Sequence, residues 1–379
     1  MEFVQFHPTG MVWPPSVQGI LVTEGVRGEG GILLNSDGRR FMFDDIPENY
    51  RSHTADNEDE GWRYTQGDKK ARRPPELLTR DHVARCIVRE IKAGRGSPHG
   101  GVFLDISWIT KRLPNAAEHI KKKLPSMYHQ FKQLADIDIT EVPMEVGPTT
   151  HYMMGGVQVD GDTQMSSVAG LFAAGECGGG LHGSNRLGGN SLSDLLVFGK
   201  LAGEHAARFA KQHGKGGVDS TEVDALTRRA LEPFDRGRRP GSDTQNPYAI
   251  QQALQMMMQE LVGIVRNEGE LRRALEELAS LWERSERVGV GGNREYNSGW
   301  HTALDLGNLL TVSEAVTRAA IVRKESRGAH FREDYPDKDP EQGKVNIVIK
   351  KGKSGMMEVG AVPIPEVPPE LKQIIEDNK

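Results

Sequence analysis

The sequence predicts an α/β protein that continues into an α-helical bundle and a tail, and three observations carry that reading. Short apolar stretches alternate with polar loops over the first 146 residues. A strand, a glycine loop and a helix follow between Gly147 and His213. From Thr221 onwards, long segments repeat apolar residues at helical spacing. At 379 residues the chain is long enough for two or three domains with a substantial core.

The elements are expected in this order. In a first domain, residues 1–146, strands fall at Glu2–Phe6, Gly19–Thr23, Gly31–Leu34 and Val102–Asp105. Acidic Asp56–Glu60 and basic Lys69–Arg73 flank Trp62-Arg63-Tyr64, a pattern read as a solvated surface excursion, with a partner-contact loop as the alternative. A helix follows: Thr79 is its N-cap, Val83, Cys86, Ile87 and Ile91 form its apolar stripe, and Lys92 with Gly94 closes it. The stripe makes Cys86 a core residue.

In a second segment, residues 147–213, the strand Leu171–Ala174 ends at Gly175-Glu176. The loop LHGSNRLGGNSLSD, Leu181 to Asp194, then leads into a helix starting near Ser191. Leu192, Leu195, Leu196, Gly199, Ala202, Gly203 and Ala206 share one face of it, small enough to pack closely on a sheet. Ser191 and Asp194 stand at capping-box spacing. Lys211–Gly217 is a linker. Residues 218–330 carry helical patterns at Thr221–Asp235, at Pro247–Arg266 with Asn246 as cap, at Glu270–Arg287 and at Thr302–Arg327. They predict a bundle of about three or four helices, with Met256-Met257-Met258 in its core. Residues 331–379 form a proline- and charge-rich extension around one strand, Lys344–Lys350, with disorder expected at its last residues.

Composition excludes several classes. A formal net charge of −5 leaves no basic footprint for nucleic acid. Two cysteines, Cys86 and Cys177, exclude a disulfide scaffold and fit a reducing compartment. They also fall short of the set an iron–sulfur cluster needs, and no metal site is expected. No apolar run approaches the roughly 18 residues of a membrane span, and the N-terminus shows neither a basic n-region nor a cleavage site.

The chemistry concentrates in the Leu181–Asp194 loop, which places Arg186 among glycines just before a helix N-terminus. Glycines let the backbone approach a ligand, the helix start presents N–H groups, and arginine offers a planar fork matched to a carboxylate. Gly178, Gly180 and Gly183 satisfy G-x-G-x-x-G formally. That fingerprint opens its helix at once, whereas several loop residues intervene here, so a dinucleotide fingerprint is rejected.

His7-Pro8-Thr9-Gly10, Thr23-Glu24-Gly25-Val26-Arg27-Gly28-Glu29-Gly30-Gly31, Arg80-Asp81, His151-Tyr152-Met153-Met154-Gly155-Gly156, Gly175-Glu176-Cys177 and His182-Gly183-Ser184-Asn185-Arg186 follow one another in a characteristic order. In that order, and on through Glu325-Ser326-Arg327-Gly328-Ala329-His330, the chain resembles the flavoprotein subunits of succinate dehydrogenases and fumarate reductases. The excursion at Asp56–Arg73 resembles the actinobacterial type. The resemblance implies a capping domain, the C-terminal part of a Rossmann-like FAD-binding domain, a helical bundle and a C-terminal extension. The βαβ unit with which family members begin is not found ahead of Met1, so weak FAD retention is expected of the chain as given.

The resemblance also implies roles. His7, Thr23, His151 and Arg186 would hold the two carboxylates of succinate or fumarate. Arg80 would be the proton-transferring acid/base, linked to solvent through Glu24 and Arg27. Ser191 and Leu192 would meet the pyrimidine edge of the flavin, and Glu176 its ribityl or ribose region. Arg80 is unusual as the first residue of a helix, where a cation opposes the macrodipole at a cost of about 0.3–1 kcal/mol. The implied partners are an iron–sulfur subunit, with a membrane anchor subunit beyond it, which would hold the protein on the cytoplasmic face of the cell membrane. Two alternatives stand beside this reading: an L-aspartate oxidase, and a truncated, non-catalytic chain that binds no flavin.

Overall fold

The computed structural model describes residues 1–214, 216–238 and 243–377. The chain divides into two compact units, Val4–Tyr152 and Met1–Phe3 with Met153–Lys379. The first contains a four-stranded sheet of β1 (Val4–Met11), β2 (Ile32–Leu34), β3 (Val102–Asp105) and β4 (Met144–Met153), in the order β1-β4-β3-β2. β2 and β3 pair antiparallel with Ile32 opposite Asp105, and β3 and β4 with Val102 opposite Val146. Its helices are α1 (Glu24–Gly28), α2 (Glu48–Arg51), α3 (Glu58–Thr65), α4 (Arg80–Lys92), α5 (Ala116–Lys123) and α6 (Pro125–Ala135). α4 lies on β1, and Val83, Cys86 and Ile87 from its stripe join Leu33, Leu104, Phe131 and Met144 in the core. Burial, with the Asp45 carboxylate beside it, pushes the Cys86 thiol up to about 12, so it stays a protonated, inert thiol.

The expected strand at Gly19–Thr23 is reduced to one bridge, Gly10 to Leu21, because a 3₁₀ turn at Pro15–Val17 and left-handed Gly19 (φ 83°) take up the approach to it. The first strand begins two residues later than expected, at Val4, and runs on to Met11. The Asp56–Arg73 excursion is folded: Asn57 caps α3 by accepting from Glu60 N–H at 3.0 Å, Arg72 binds Glu60 at 2.8 Å, and Trp62 meets Trp108 edge-to-face at 5.5 Å. β4 runs unbroken past residues 146 and 147, and the units divide at Tyr152 and Met153.

The second unit opens with loops in which glycine lets backbones touch. A Cβ at Gly156 would meet the Cys177 carbonyl at 2.3 Å. Among the described residues Leu171–Ala174 forms no sheet strand; Phe172 bridges to Met165, and Ala173 N–H donates to Gln164 O at 3.0 Å. α7 (Asn190–His213) starts after Gly189, whose φ of 83° makes it the cap residue, so the expected capping box does not form. Ser191 sits inside the helix, and Asp194 turns instead to His182, 3.3 Å away. The α7 face expected against a sheet is exposed at Leu192, Leu195 and Leu196. Its chief contact among the described residues is the turn Gly175–Cys177.

α8 (Ser220–Gly237), α9 (Pro247–Leu261), α10 (Glu268–Ser285) and α11 (Ser298–Val322) follow, and the last three pack on one another through Ile250, Leu254, Leu271, Leu278, Leu306 and Leu310. Asn246, Asn267 and Asn297 cap them, each side chain accepting a backbone N–H at 2.9 Å. α9 stops short of Arg266, whose guanidinium folds back onto the carbonyls of Val262 and Gly263 while its backbone joins β5 (Val265–Arg266), parallel to β6 (Phe331–Arg332). α11 begins four residues before and ends five before the expected bounds; Arg323 leaves the helix to pair with Glu2 and Glu325. Of the methionine run, Met257 is buried and Met256 exposed. The tail holds two strands, β7 (Val345–Lys351) and β8 (Met357–Pro363), paired as an antiparallel hairpin, and a helix, α12 (Pro369–Asp377). Of the residues expected to be disordered, 378–379 lie outside the described residues, as does Lys215 of the expected linker.

Candidate functional site

In the first unit the sheet and two short segments bring five polar residues together. β1 carries His7, and β4 carries His151; their rings meet edge-to-face with centroids 5.4 Å apart. Thr9 N–H donates to His7 Nδ1 at 3.3 Å, and the Thr9 hydroxyl donates to Val22 O at 2.9 Å. A ring that accepts at Nδ1 carries its proton on Nε2, so His7 is a donor through Nε2. Burial, and then electrostatic coupling to Arg27, Arg80 and His151, lower its pKa to about 3, so the ring is neutral at physiological pH.

Thr23 caps α1, its Oγ1 accepting from Gly25 N–H at 3.5 Å, and stands exposed beside Glu24. Arg80 is the first residue of α4, as the sequence predicts, although Thr79 makes no side-chain cap bond. A carboxylate offsets the cation at that unfavourable helix end: Arg80 Nε donates to Glu24 Oε2 at 3.3 Å. The same oxygen lies 3.8 Å from Arg27 Nη2. Arg27 is buried; Nη1 donates to the Glu76 carbonyl, while Nε and Nη2 have no hydrogen-bond partner among the described residues. Burial, against the opposing pull of Glu24, lowers Arg27 to about 10, which leaves it cationic at neutral pH. The result is a file of charges, Arg80, Glu24 and Arg27, with a neutral His7 against His151 in the same unit.

Sequence reasoning missed two supports here. Thr9 fixes the His7 tautomer, and it lay in plain view in the His7–Gly10 motif. Glu76, fully buried, accepts from Arg40 Nε at 2.7 Å and Nη2 at 2.8 Å and lends Arg27 its carbonyl. An isolated acid between Pro75 and Leu77 gives no local signal of that.

The second unit holds the other candidates. Arg186 is buried in the glycine loop, where Nη1 donates to Leu187 O at 3.2 Å. Glu176 lies in the turn Gly175–Cys177 and accepts from Met153 N–H at 2.9 Å. Ser191 and the exposed Leu192 occupy the first turn of α7. That turn has neither a capping side chain nor an acidic residue, and the Asn190 and Leu192 N–H groups donate to Leu187 O and Gly189 O. A cleft of about 270 Å³ is bounded by Gly175, Gly178, Gly179, Gly180, Asp194 and Phe198. Its glycine walls let a ligand approach the backbone there. The Asp45, His82 and Cys86 cluster does not supply a metal centre: His82 Nε2 is engaged by the Asp45 carbonyl at 2.7 Å, and Arg89 occupies the Asp45 carboxylate. Among the described residues no helix is long and apolar enough to cross a membrane.

The chain belongs to the FAD binding domain family, which matches residues 1–192. Residues 251–373 match the fumarate reductase flavoprotein C-terminal family. Its homologues are flavoprotein subunits of fumarate reductases and succinate dehydrogenases. It is 42% identical to a component of the fumarate reductase (CoM/CoB) of Methanothermobacter marburgensis, over 93% of this chain and 57% of that protein. It is 37% identical to the succinate dehydrogenase flavoprotein subunit of Coxiella burnetii, over 89% of this chain and 53% of that one. The solved structure of Mycobacterium smegmatis Sdh1 in complex with UQ1 superposes with a TM-score of 0.79 and 49% identity, covering 99% of this chain and 57% of that chain. The chain thus spans about half the length of the curated relatives it matches.

Proposed function

We propose that the protein is the flavoprotein component of a succinate:quinone oxidoreductase, interconverting succinate and fumarate with FAD and passing electrons to an iron–sulfur subunit held at the cytoplasmic face of a membrane by an anchor subunit. The observation that carries this is the first unit's set of a neutral, Nε2-protonated His7, its neighbour His151, and the Arg80, Glu24 and Arg27 file. A dicarboxylate needs charge-assisted donors, and a reaction at its central carbons needs a proton path.

In this reading each unit contributes its own chemistry. His7, Thr23 and His151 donate hydrogen bonds to substrate carboxylate oxygens. Arg80 holds and returns the proton at the substrate carbon, and Glu24, touching both Arg80 and Arg27, carries protons between it and solvent. In the second unit Arg186 supplies a planar fork for carboxylate. Glu176, Ser191 and Leu192 would hold FAD, with the α7 N-terminus favouring the charge of its reduced ring. Bound FAD would supply the hydride acceptor or donor. The proposed carboxylate-binding groups include no carboxylate to pair with an α-ammonium, which separates succinate from aspartate. The test is anaerobic bleaching of the FAD-loaded protein by succinate and by L-aspartate, with malonate as competitor. Bleaching by succinate, blocked by malonate, is expected; bleaching by aspartate alone would overturn the assignment in favour of an oxidase.

A further inference from the structure

The loop that carries Arg186 rests on a turn from far along the chain. Arg327 N–H donates to His330 O at 2.8 Å and His330 N–H to Arg327 O at 3.0 Å, which closes a two-residue hairpin tip at Gly328-Ala329. Gly328 has φ 56°, and Ala329 is not among the left-handed residues; glycine first with positive φ is the order a type II′ tip demands. The tip is pressed against Ser184, two residues before Arg186. Ala329 N–H donates to the Ser184 carbonyl at 2.9 Å, and a Cβ on Gly328 would lie 2.3 Å from that same oxygen.

The base of the turn is fixed with equal care. Glu325, fully buried, takes Arg327 through two bonds of 2.8 and 3.0 Å, Arg323 at 3.0 Å and the Asp339 N–H at 2.9 Å. Ser326 Oγ accepts from Arg332 N–H at 2.8 Å. Such anchoring leaves the tip little freedom, and what it touches inherits that rigidity. At its other end the Arg186 loop is tied to α7 by His182 and Asp194. Between these ties the loop contains Gly183 at φ 58°, a residue that would otherwise allow it many conformations.

We propose that Gly328 and Ala329 are positioning residues for substrate: they set the height of the Ser184 backbone and thereby the place of the Arg186 guanidinium. This rests on the reading of Arg186 as a carboxylate-binding residue. A misplacement of about 1 Å in such a group can cost about 10²-fold, so a contact remote from the chemistry has leverage.

The test uses the FAD-loaded protein with malonate titrated calorimetrically, flavin content and thermal midpoint being recorded alongside. Ala329→Pro replaces the N–H that holds Ser184 by a ring Cδ pressed on the same oxygen, and Ala329→Ser keeps the N–H. Gly328→Ala adds the clashing Cβ. Arg186→Lys is the control for the underlying reading. The expected result is malonate affinity at least about tenfold weaker in Ala329→Pro and Gly328→Ala, parental in Ala329→Ser, with flavin content unchanged. If Gly328→Ala does not fold, the proline and serine pair decides alone. Parental affinity in Ala329→Pro while Arg186→Lys loses binding would overturn the positioning role and leave the clamp standing. Parental affinity in Arg186→Lys would remove both.

Discussion

His7 shows how neighbours set the chemistry of one residue. A solvated imidazole is half charged near pH 6.5, but burial first, then Arg27, Arg80 and His151, bring His7 to about 3. The sign follows: between these values the unfolded chain binds the proton and the folded one does not, so His7 subtracts stability as pH falls from about 6.5 towards 3. Between pH 7 and pH 5 the loss attributable to this ring is about 2 kcal/mol. His7→Gln is therefore expected to lose about 2 kcal/mol less than the parent over that interval in urea unfolding; parallel pH profiles would show that the ring is not held neutral. Arg80 offers a test of another kind. Lysine keeps the charge opposite Glu24 but not the fork or the reach, so Arg80→Lys in the FAD-loaded protein is expected to lower turnover at least about 10²-fold while malonate binds nearly as before. Turnover within a fewfold of the parent would take Arg80 out of the proton path.

At the scale of elements, helix starts separate what spacing reveals from what it hides. Asn246 is recognisable as a cap because Pro follows it, and α4 is bounded at Arg80 and Lys92 by Thr79 before its stripe and Lys92 with Gly94 after it. Ser191 and Asp194 had the spacing of a capping box, yet Gly189 takes the cap in a left-handed conformation and Asp194 is drawn to His182. Substitution can measure the difference. Asn267→Ala should cost about 1 kcal/mol, because its side chain satisfies Glu270 N–H, whereas Ser191→Ala should stay within about 0.5 kcal/mol. A loss in Ser191→Ala equal to that of Asn267→Ala would restore the capping box. The same contrast holds for the candidate site. Its residues were legible as motifs, since His7, Arg80, His151 and Arg186 each stand in a dense polar or glycine-rich string. Two of the supports were not: Glu76 and the Gly328 tip act through contacts tens to more than a hundred residues apart, which no window of sequence contains.

At the scale of the molecule, buried charge knits distant parts of the second unit. Arg323 meets Glu2 and, at 3.0 Å, Glu325, donates to the carbonyls of Gln342 and Val345, and lies over the Phe3 ring at 4.9 Å. One side chain thus joins the first three residues, the end of α11 and the start of β7. Arg266 reinforces it by donating to Glu2 O and contacting His330 Nδ1 at 2.7 and 2.9 Å. Such a network adds little net stability over a well-packed apolar replacement, because desolvation offsets most of the attraction. Removing one member is different, for it strands the rest. Arg323→Met fills much of the volume but leaves the Glu2 and Glu325 carboxylates buried without that cation, so a loss of about 3–5 kcal/mol is expected. Arg273→Met, which breaks only exposed pairs with Glu260 and Glu277, should lose far less. Denaturant unfolding of both variants, followed by a probe in the helical bundle, distinguishes the cases. Similar small losses in the two would mean that water reaches the Arg323 cluster, and that the residues at either end of the chain are joined there by packing rather than by charge.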